Sequence, residues 1–398
     1  MNMGREQREG QIWHVIAVCL AAGIMMGLLT YEVAYWEGTD LYTHQNYVVN
    51  GRLMEITYPL WHYVVAFLYL GLHMGIEKAS ALACVLFAVA FMFVIWSYLY
   101  CTLKKDYKTY QIDFFAFILG LVQPLYLGIL FRGLNIGRSL TNPLSNPTQI
   151  AVRPMALIVT LLTVLLWDVG RDEYFSVRGK RIGKKVCFRI LIAIFLLLSV
   201  LAKPSFAQVY YLAFALVVIG RFIKARGKNF RECFWDGVSL VPSMIQFIVI
   251  YYMYFGNPSG EQSEPLGFVF LGVWSYFTDS IPLSILAALA FAIAVLIFLG
   301  KRVCNYKGVL FSWLMTIIGI LEYMFIMETG GRQYHGNFSW GYQIGCSLLW
   351  VFSLQAFLKE RRSGLLESKK KYVELLIWLL LACHLLAGIY DYALDFIL

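Results

Sequence analysis

Charged residues are scarce in this sequence. Asp, Glu, Lys and Arg make up 14% of its 398 residues, whereas soluble domains carry about 25%. Apolar types make up 60% of the chain, and the mean hydropathy is +0.66. A soluble fold of this length could not bury that much apolar surface. The composition therefore excludes a soluble enzyme, a disordered chain and a fibrous repeat, and it predicts a multi-pass membrane protein.

Closely spaced cysteines are also missing. None of the eight cysteines forms a CxxC or CxxxC pair, and all lie in apolar segments or beside basic loops. This pattern argues against a disulfide framework and against a zinc site. The sequence also lacks an internal repeat, a low-complexity tract and a polar stretch long enough for a soluble domain. We therefore interpret residues 1–398 as a single membrane domain.

The most prominent feature of the sequence is a series of long apolar runs. A helix needs about 20 apolar residues to cross a bilayer. Nine runs approach or exceed this length, at 13–35, 80–103, 112–131, 150–168, 234–255, 281–300, 308–328, 342–358 and 372–394. The first run is too long for a signal-peptide core, so it is expected to remain as the first transmembrane helix.

Basic residues predict the orientation of these helices. Arg5, Arg8 and five clusters hold 26 of the 33 Lys and Arg residues, the clusters being at 104–108, 171–189, 221–231, 301–307 and 359–371. Basic loops normally face the cytoplasm. We therefore attribute the net charge of +9 to cytoplasmic loops, and we expect no nucleic-acid partner. All clusters fall on one side only if Tyr58–Ile76 does not cross the membrane. The segment 36–79 is therefore predicted to be an outer loop with juxtamembrane helices.

A second unusual segment covers residues 190–222. Both of its ends are basic, and Lys203, Pro204 and Ser205 interrupt it near the middle. We expect a helical hairpin of two short helices whose apex carries these three residues. Broken helices at membrane depth occur where they are buried in protein or line a cavity. The predicted fold is thus an all-α integral membrane protein with about eleven transmembrane helices, N-terminus in and C-terminus out.

The outer loops contain few ionisable residues, and one set of them suggests a site. Asp40 closely follows the first apolar run, and His44 would share its face of a helix. A carboxylate among several cations suits attack by a hydroxyl on a phosphate-activated carbon, because the acid takes the proton and the cations stabilise the leaving phosphate. The candidate cations are Arg52, Arg138, Arg153, Lys203 and Arg332.

Most of these residues also have a structural explanation. Asp40 could cap a helix, His44 could be an ordinary interface residue, and Lys203 could extend to the membrane surface. Arg138 could bind lipid head groups without taking part in chemistry. Glu328, which lies at a predicted helix end, is costly there unless it is paired or functional.

The pattern resembles the GT-C class of membrane glycosyltransferases. The resemblance rests on Asp40 in GTDLYTH, after the first span, and on YPLWHYVVAFLYLG from Tyr58, where the class has juxtamembrane helices. The segments AKPSF and ETGGRQYHGNF also resemble parts of uncharacterised bacterial multi-pass proteins near this class. In architecture the resemblance extends over the whole chain. In sequence it is limited to about the first 80 residues and two short motifs. The acidic pair usual after the first span is absent, so Glu37 and Glu55 stay open as alternatives to Asp40 as the base.

The resemblance implies an inverting transferase in the plasma membrane of a bacterium. Its expected partners are a polyprenyl-phosphate sugar donor, a glycan or lipid-linked acceptor, and membrane lipid. Asp40 would activate the acceptor hydroxyl, Arg153, Lys203 and Arg332 would hold phosphate, and His335 and Asn337 would bind sugar or phosphate. No cofactor is required, although some class members use a divalent metal, for which Asp40, Glu55 and His44 are the candidate ligands.

Two other functions compete with this one. A polysaccharide polymerase or ligase also works on a lipid diphosphate, but it typically needs a large late outer loop, and residues 328–341 form a short one. A transporter or flippase would explain the broken hairpin at Lys203. Against transport, the sequence shows no inverted repeat, and its ionisable residues collect on one side.

Overall fold

The computed structural model describes residues 5–125, 146–170, 173–177, 180–255, 266–329, 333–363 and 371–397. Helices dominate these residues. The first half contains α1 (Arg5–Val33), α2 (Asp40–Val49), α3 (Leu60–Ala66), α4 (Ile76–Leu103), α5 (Thr109–Leu121), α6 (Pro147–Asp168), α7 (Lys184–Ala202) and α8 (Ser205–Lys224). The second half contains α9 (Phe230–Val238), α10 (Val241–Phe255), α11 (Trp274–Phe277), α12 (Ile281–Leu299), α13 (Lys307–Phe325), α14 (Ser339–Arg362) and α15 (Lys371–Ile397).

Two short antiparallel strand pairs account for the strands in the described residues. Strand β1 (Tyr174–Val177) pairs with β2 (Lys180–Gly183) just before α7. Strand β3 (Leu266–Phe268) pairs with β4 (Ile326–Glu328), with Leu266 opposite Glu328. The second pair joins the segment before α11 to the end of α13 and helps to build the site described below.

The apolar helices fit a multi-pass membrane protein. Among the described residues, nine helices are long and apolar enough to cross a bilayer, and a tenth crossing results if the bent pair α9 and α10, with 47° between them, is one span. The expected count was about eleven. The difference lies at the run 112–131, because α5 covers only Thr109–Leu121 and residues 126–131 lie outside the described part of the chain.

The segment Tyr58–Ile76 forms a short helix, followed directly by α4. Its apolar helical part covers Leu60–Gly71 and ends in a π-helical turn. Twelve helical residues span about 18 Å, well short of the roughly 30 Å hydrocarbon core. The segment therefore packs on the bundle through buried side chains, including Trp61 and Val65.

Helices α7 and α8 meet at Lys203 and Pro204. Lys203 has extended backbone angles and Pro204 has no amide hydrogen, so the helical hydrogen bonds stop here and restart in α8. The two helices have 19 and 20 residues and extend beyond 190–222 into both basic flanks. Each is thus long enough to cross the membrane, unlike the short halves expected from the apolar pattern alone.

Helix α14 lies at the centre of the bundle, with its apolar stretch buried throughout. It packs closely on α13, where a Cβ atom added to Gly319 would lie 2.5 Å from the Tyr342 backbone nitrogen. Glycine is therefore required for this approach of the two helices. The bundle has one end that carries α2, the end of α7 and the start of α14, which we call the α2 end. The opposite end, where α7 begins and α8 and α14 finish, is called the basic end.

Candidate active site

Asp40 is the first residue of α2, and its neighbour Thr39 caps the helix. The Thr39 hydroxyl accepts a hydrogen bond from the Tyr42 backbone nitrogen at 3.1 Å. The Asp40 carboxylate is therefore not used as the cap, and it lies in the first turn, where the helix dipole favours negative charge. One turn later, His44 lies on the same side of α2, and both side chains line the same cavity.

This polar cavity has a volume of about 330 Å³. Its wall combines α2, the loop before α3, the start of α6 and the loop before α14. The lining residues are Asp40, Thr43, His44, Tyr47, Glu55, Ile56, Thr57, Tyr58, His62, Asn146, His335, Asn337 and Trp340.

A chain of polar contacts runs from Asp40 to Lys203. Asn146 donates a hydrogen bond from Nδ2 to Asp40 Oδ2 at 3.3 Å. Its Oδ1 atom accepts from the Thr148 backbone nitrogen at 3.0 Å and thereby caps α6, and it also contacts the Thr148 hydroxyl. Lys203 Nζ donates to that hydroxyl at 3.4 Å. The first turn of α6 thus connects the candidate base with the candidate cation.

Lys203 is a buried cation held between aromatic rings. Its side chain is 5% exposed, and Nζ lies 4.5 Å from the ring centre of Trp340 and 5.9 Å from that of Tyr58. Burial lowers the pKa of Lys203 to about 7, and the charge of Asp40 opposes this shift. The ring faces also favour the ammonium form. Lys203 does not reach the membrane surface as a snorkelling side chain would.

A smaller cavity of about 120 Å³ lies on the other side of these rings. It is mainly apolar and contains Lys203 in its wall. Its lining residues are Tyr58, Lys203, Pro204, Ser205, Gln208, Phe247, Ile250, Tyr251, Leu266, Glu328, Asn337, Phe338 and Trp340. Tyr251 belongs to the side of α10 that is widely exposed, together with Ile248 and Tyr252. The apolar cavity therefore extends toward an exposed apolar surface of the bundle.

Three residues belong to both cavities. Tyr58, Asn337 and Trp340 line each of them, so the cavities are neighbours with a common wall. The Asp40 carboxylate is on the polar side of this wall, and Lys203 is on the apolar side.

Two histidines form a pair beside Asp40. His44 Nδ1 and His62 Nε2 are 2.8 Å apart, so one of the two nitrogens carries the shared proton. His62 is completely buried, and burial lowers its pKa to about 3. Burial, His62 and Lys203 together hold the pKa of His44 well below its usual range. His44 is thus neutral at pH 7 and can exchange a neutral hydrogen bond with a ligand.

Glu328 and Asn337 form a second polar pair at the common wall. Asn337 Nδ2 donates to Glu328 Oε2 at 2.8 Å, and Glu328 is 5% exposed. This bond uses only the amide nitrogen of Asn337. The amide oxygen is a separate acceptor, and it can accept a hydrogen bond from a hydroxyl of a ligand. His335 is exposed and lines the polar cavity. A carboxylate and an amide oxygen suit sugar hydroxyls better than phosphate.

The structure does not bring every predicted residue to the cavities. Arg52 is exposed, and its guanidinium donates to both carboxylate oxygens of Glu55, 2.9 and 3.0 Å from Nε. Arg153 lines neither cavity, because it lies in α6 six residues, or about 9 Å, beyond Pro147. There its Nε and Nη2 atoms have no hydrogen-bond partner. Arg138 and Arg332 lie outside the described residues.

The structure places the three acids proposed as alternative bases in different surroundings. Glu37 is exposed and lines neither cavity. Glu55 lines the polar cavity, but its carboxylate is engaged by Arg52. Asp40 lines the cavity and contacts Asn146. Asp40 is thus the best placed of the three to accept a proton.

A metal site does not fit the arrangement of these side chains. Among the described residues, no group of three or more His, Cys, Asp and Glu side chains could hold a metal ion together. Glu55 is held by Arg52, and His44 Nδ1 is occupied by His62. We therefore derive no step that uses a metal.

Several residues of the site were not selected from the sequence. Asn146 and Thr148 carried a usable signal, because Asn-Pro-Thr ahead of an apolar run is typical of a capped helix start with Pro in its first turn. His62 lies in a short apolar helix, where a histidine is usually a packing residue, so its contact with His44 carries no sequence signal. Trp340 had no signal, since a contact with Lys203 across 137 positions of sequence depends on the tertiary fold.

Comparison with known proteins gives no family. No protein-family model matches the chain, and no curated protein matches it significantly. The function must therefore be argued from the site itself.

Proposed function

We propose that this protein is an inverting membrane glycosyltransferase that takes a sugar from a polyprenyl-phosphate donor. The observation that carries the proposal is the position of Asp40 and Lys203 on opposite sides of one wall, between a polar and an apolar cavity. A donor of this kind has a polar sugar, one phosphate and an apolar chain. The polar cavity suits the sugar, Lys203 at the common wall suits the phosphate, and the apolar cavity suits the start of the lipid chain.

The phosphate would bind at Lys203. A buried ammonium held by two rings is a strong and preorganised partner for a phosphate oxygen, because few other groups compete for it. The Thr148 hydroxyl, which accepts from Lys203 and donates to Asn146, holds the ammonium in place beside the phosphate position. The first isoprene units would lie along Phe247, Ile250 and the exposed side of α10.

The sugar would occupy the polar cavity. Asn337, His335 and the neutral His44 are positioned to bind its hydroxyls. A cavity of about 330 Å³ is of the size that ordinary small-ligand sites have. The acceptor hydroxyl would enter from the open side of this cavity, where Asp40 is exposed.

The reaction follows from this placement. The acceptor oxygen attacks the anomeric carbon and forms the new glycosidic bond, while Asp40 takes the hydroxyl proton. The bond between the anomeric carbon and the phosphate oxygen breaks, and its electron pair leaves with the polyprenyl phosphate. Lys203 stabilises the charge that develops on this leaving group. Attack opposite to the leaving phosphate inverts the anomeric centre.

We further propose that the α2 end faces outward and the basic end faces the cytoplasm. The concentration of Lys and Arg at the basic end supports this orientation. About eleven crossings, with the N-terminus in and the C-terminus out, and a bacterial plasma membrane complete the proposal. Donor and acceptor would then meet at the outer surface of that membrane.

The test is transfer by the purified protein in liposomes. Polyprenyl-phosphate hexoses with a radiolabelled sugar would be supplied one at a time, with a cell-envelope glycan extract as acceptor. We expect label to enter the glycan with one donor. Asp40→Asn should reduce the rate by about a thousandfold, within the range of general-base losses.

Glu37→Gln provides the matched control. It removes an acid three residues away that lines neither cavity, so transfer should stay near the wild-type rate. If Asp40→Asn transferred sugar normally, the proposed base would be wrong. If no donor were consumed but the labelled lipid changed leaflet, the protein would be a flippase.

A further inference from the structure

A third cavity lies at the basic end, away from the candidate active site. It is a groove of about 750 Å³ between the start of α7 and the short helix α9. The groove residues of α7 lie 10 to 20 positions before Lys203, which correspond to about 15 to 30 Å along the helix. The lining residues are Gly183, Lys185, Val186, Arg189, Ile190, Ala193, Lys228, Arg231, Glu232, Trp235, Val238 and Ser239.

The groove has a cationic end and an apolar end. Lys185 and Arg189 lie in the first turns of α7, with Val186 between them, whereas Ile190 and Ala193 continue along the same helix beyond them. On α9 the order repeats: basic residues lie before or at its start, and Trp235 and Val238 lie near its end. A ligand that fits both parts carries a negative head and an apolar chain.

Two of the four cations are already neutralised. Lys185 pairs with Glu232 at 3.2 Å, and Arg189 pairs with the buried Asp236 at 2.7 Å. These pairs hold α7 against α9 and fix the shape of the groove.

The other two cations are exposed. Lys228 and Arg231 have no ion pair with any residue in the described part of the chain. The groove therefore keeps an excess of positive charge at its rim.

Helix α9 itself has the character of a membrane-surface helix. Phe230, Phe234 and Trp235 are 64, 53 and 47% exposed, and a 47° bend separates α9 from α10. Aromatic side chains of this kind reside at the level of lipid head groups. The cationic rim of the groove is thus at the depth where phosphates of a bilayer lie.

We propose that this groove binds one anionic glycerophospholipid, with its phosphate at Lys228 and Arg231 and an acyl chain along Ile190, Ala193 and Val238. Charge complementarity selects an anionic lipid over a zwitterionic one, because the rim carries cations whose charge is not balanced within the groove. The apolar floor selects a lipid over a soluble phosphate. The inference is independent of the sugar-transfer reaction.

The test measures lipid binding to the full-length protein after delipidation in detergent. Native mass spectrometry would record titrations with dioctanoyl phosphatidylglycerol, dioctanoyl phosphatidylcholine and glycerol phosphate. We expect the anionic lipid to bind at least tenfold more tightly than the other two. The double variant Lys228→Ala/Arg231→Ala should weaken it about thirtyfold, since each basic residue near the surface contributes about fivefold.

The double variant Lys224→Ala/Lys301→Ala is the matched control. It removes the same charge from two exposed residues of the basic end that do not line the groove. We expect its affinity for the anionic lipid to change less than twofold. An equal loss in both double variants would show diffuse attraction without a site. Equal binding of phosphatidylcholine, or of glycerol phosphate, would also overturn the proposal.

Discussion

The Nζ atom of Lys203 lies 4.5 Å from the ring centre of Trp340, which joins the apex of the α7–α8 hairpin to the first turn of α14. The contact keeps the ammonium group inside the bundle. Among the described residues, no acidic side chain forms a salt bridge with Lys203. A cation on an aromatic face keeps its capacity to bind an anion, whereas a tight salt bridge would neutralise it.

The pH dependence of donor use tests this arrangement. The pKa of Lys203 lies at about 7, below the usual range, because burial disfavours the ammonium. The charged form therefore predominates below pH 7 and is lost above it. We expect the KM for the donor to rise about tenfold per pH unit above pH 8 and kcat to fall as well, because Lys203 also stabilises the leaving phosphate. Lys203→Arg should keep its charge and remove this rise, whereas a pH-independent KM in the wild type would contradict the assignment.

The Trp340 ring is the second test. Trp340→Leu removes the ring face and should weaken donor binding by about fivefold to thirtyfold, which corresponds to the 1–2 kcal/mol of a buried cation–π contact. Trp340→Phe retains a ring and should recover part of the affinity. Isothermal titration with a polyprenyl-phosphate sugar would measure both variants. Equal losses in both would mean that Trp340 acts through its size alone.

Asn146 has two separable duties, and two variants distinguish them. Asn146→Ala removes the cap of α6 and should cost about 1 kcal/mol of stability, measured as a lower Tm. Asn146→Asp keeps a capping oxygen but places a second carboxylate beside Asp40. Repulsion should then raise the pKa of Asp40 and shift the acidic limb of the rate profile upward. An unchanged profile in Asn146→Asp would place Asp40 outside the reaction.

The histidine pair predicts how acid affects stability. In the folded state the pKa of His62 is about 3 and that of His44 is well lowered, while in the unfolded chain both are near 6.5. Below pH 6.5 the unfolded chain binds more protons, so the free energy of unfolding falls as pH falls. Each histidine should contribute about 1.4 kcal/mol per pH unit. Thermal unfolding between pH 7 and 5 should show this decline, and His44→Gln should make it shallower.

The orientation of the bundle can be tested by labelling cysteines in intact cells. Gly75 is an exposed residue between the short apolar helix and α4. In a background without the exposed Cys101, Cys304 and Cys383, Gly75→Cys should react with an impermeant maleimide from outside. Restoring Cys304, in the basic stretch 301–307, gives the opposite control and should require permeabilisation. The reverse pattern would place the basic end outside.

The class of fold follows from composition and from local patterns in the sequence. Its excess of apolar residues and scarcity of charge predicted a multi-pass helical membrane protein, and the described helices fit this. These signals are local, because a span of about 20 apolar residues and a break at Lys203-Pro204 depend on neighbouring residues only. These local signals gave helix lengths that were too short where a helix continues into a basic flank, as α7 and α8 do.

Which polar residues contact one another depends on the packing of the helices. Asp40, Asn146 and Lys203 come from three segments, and their contacts depend on how α2, α6 and the α7–α8 hairpin pack together. Arg153 looked equivalent to Lys203 in sequence, yet its position within α6 keeps it away from both cavities. Composition identifies residues that are costly to bury, but packing decides which of them share a cavity, because distances between helices are not encoded by any local pattern.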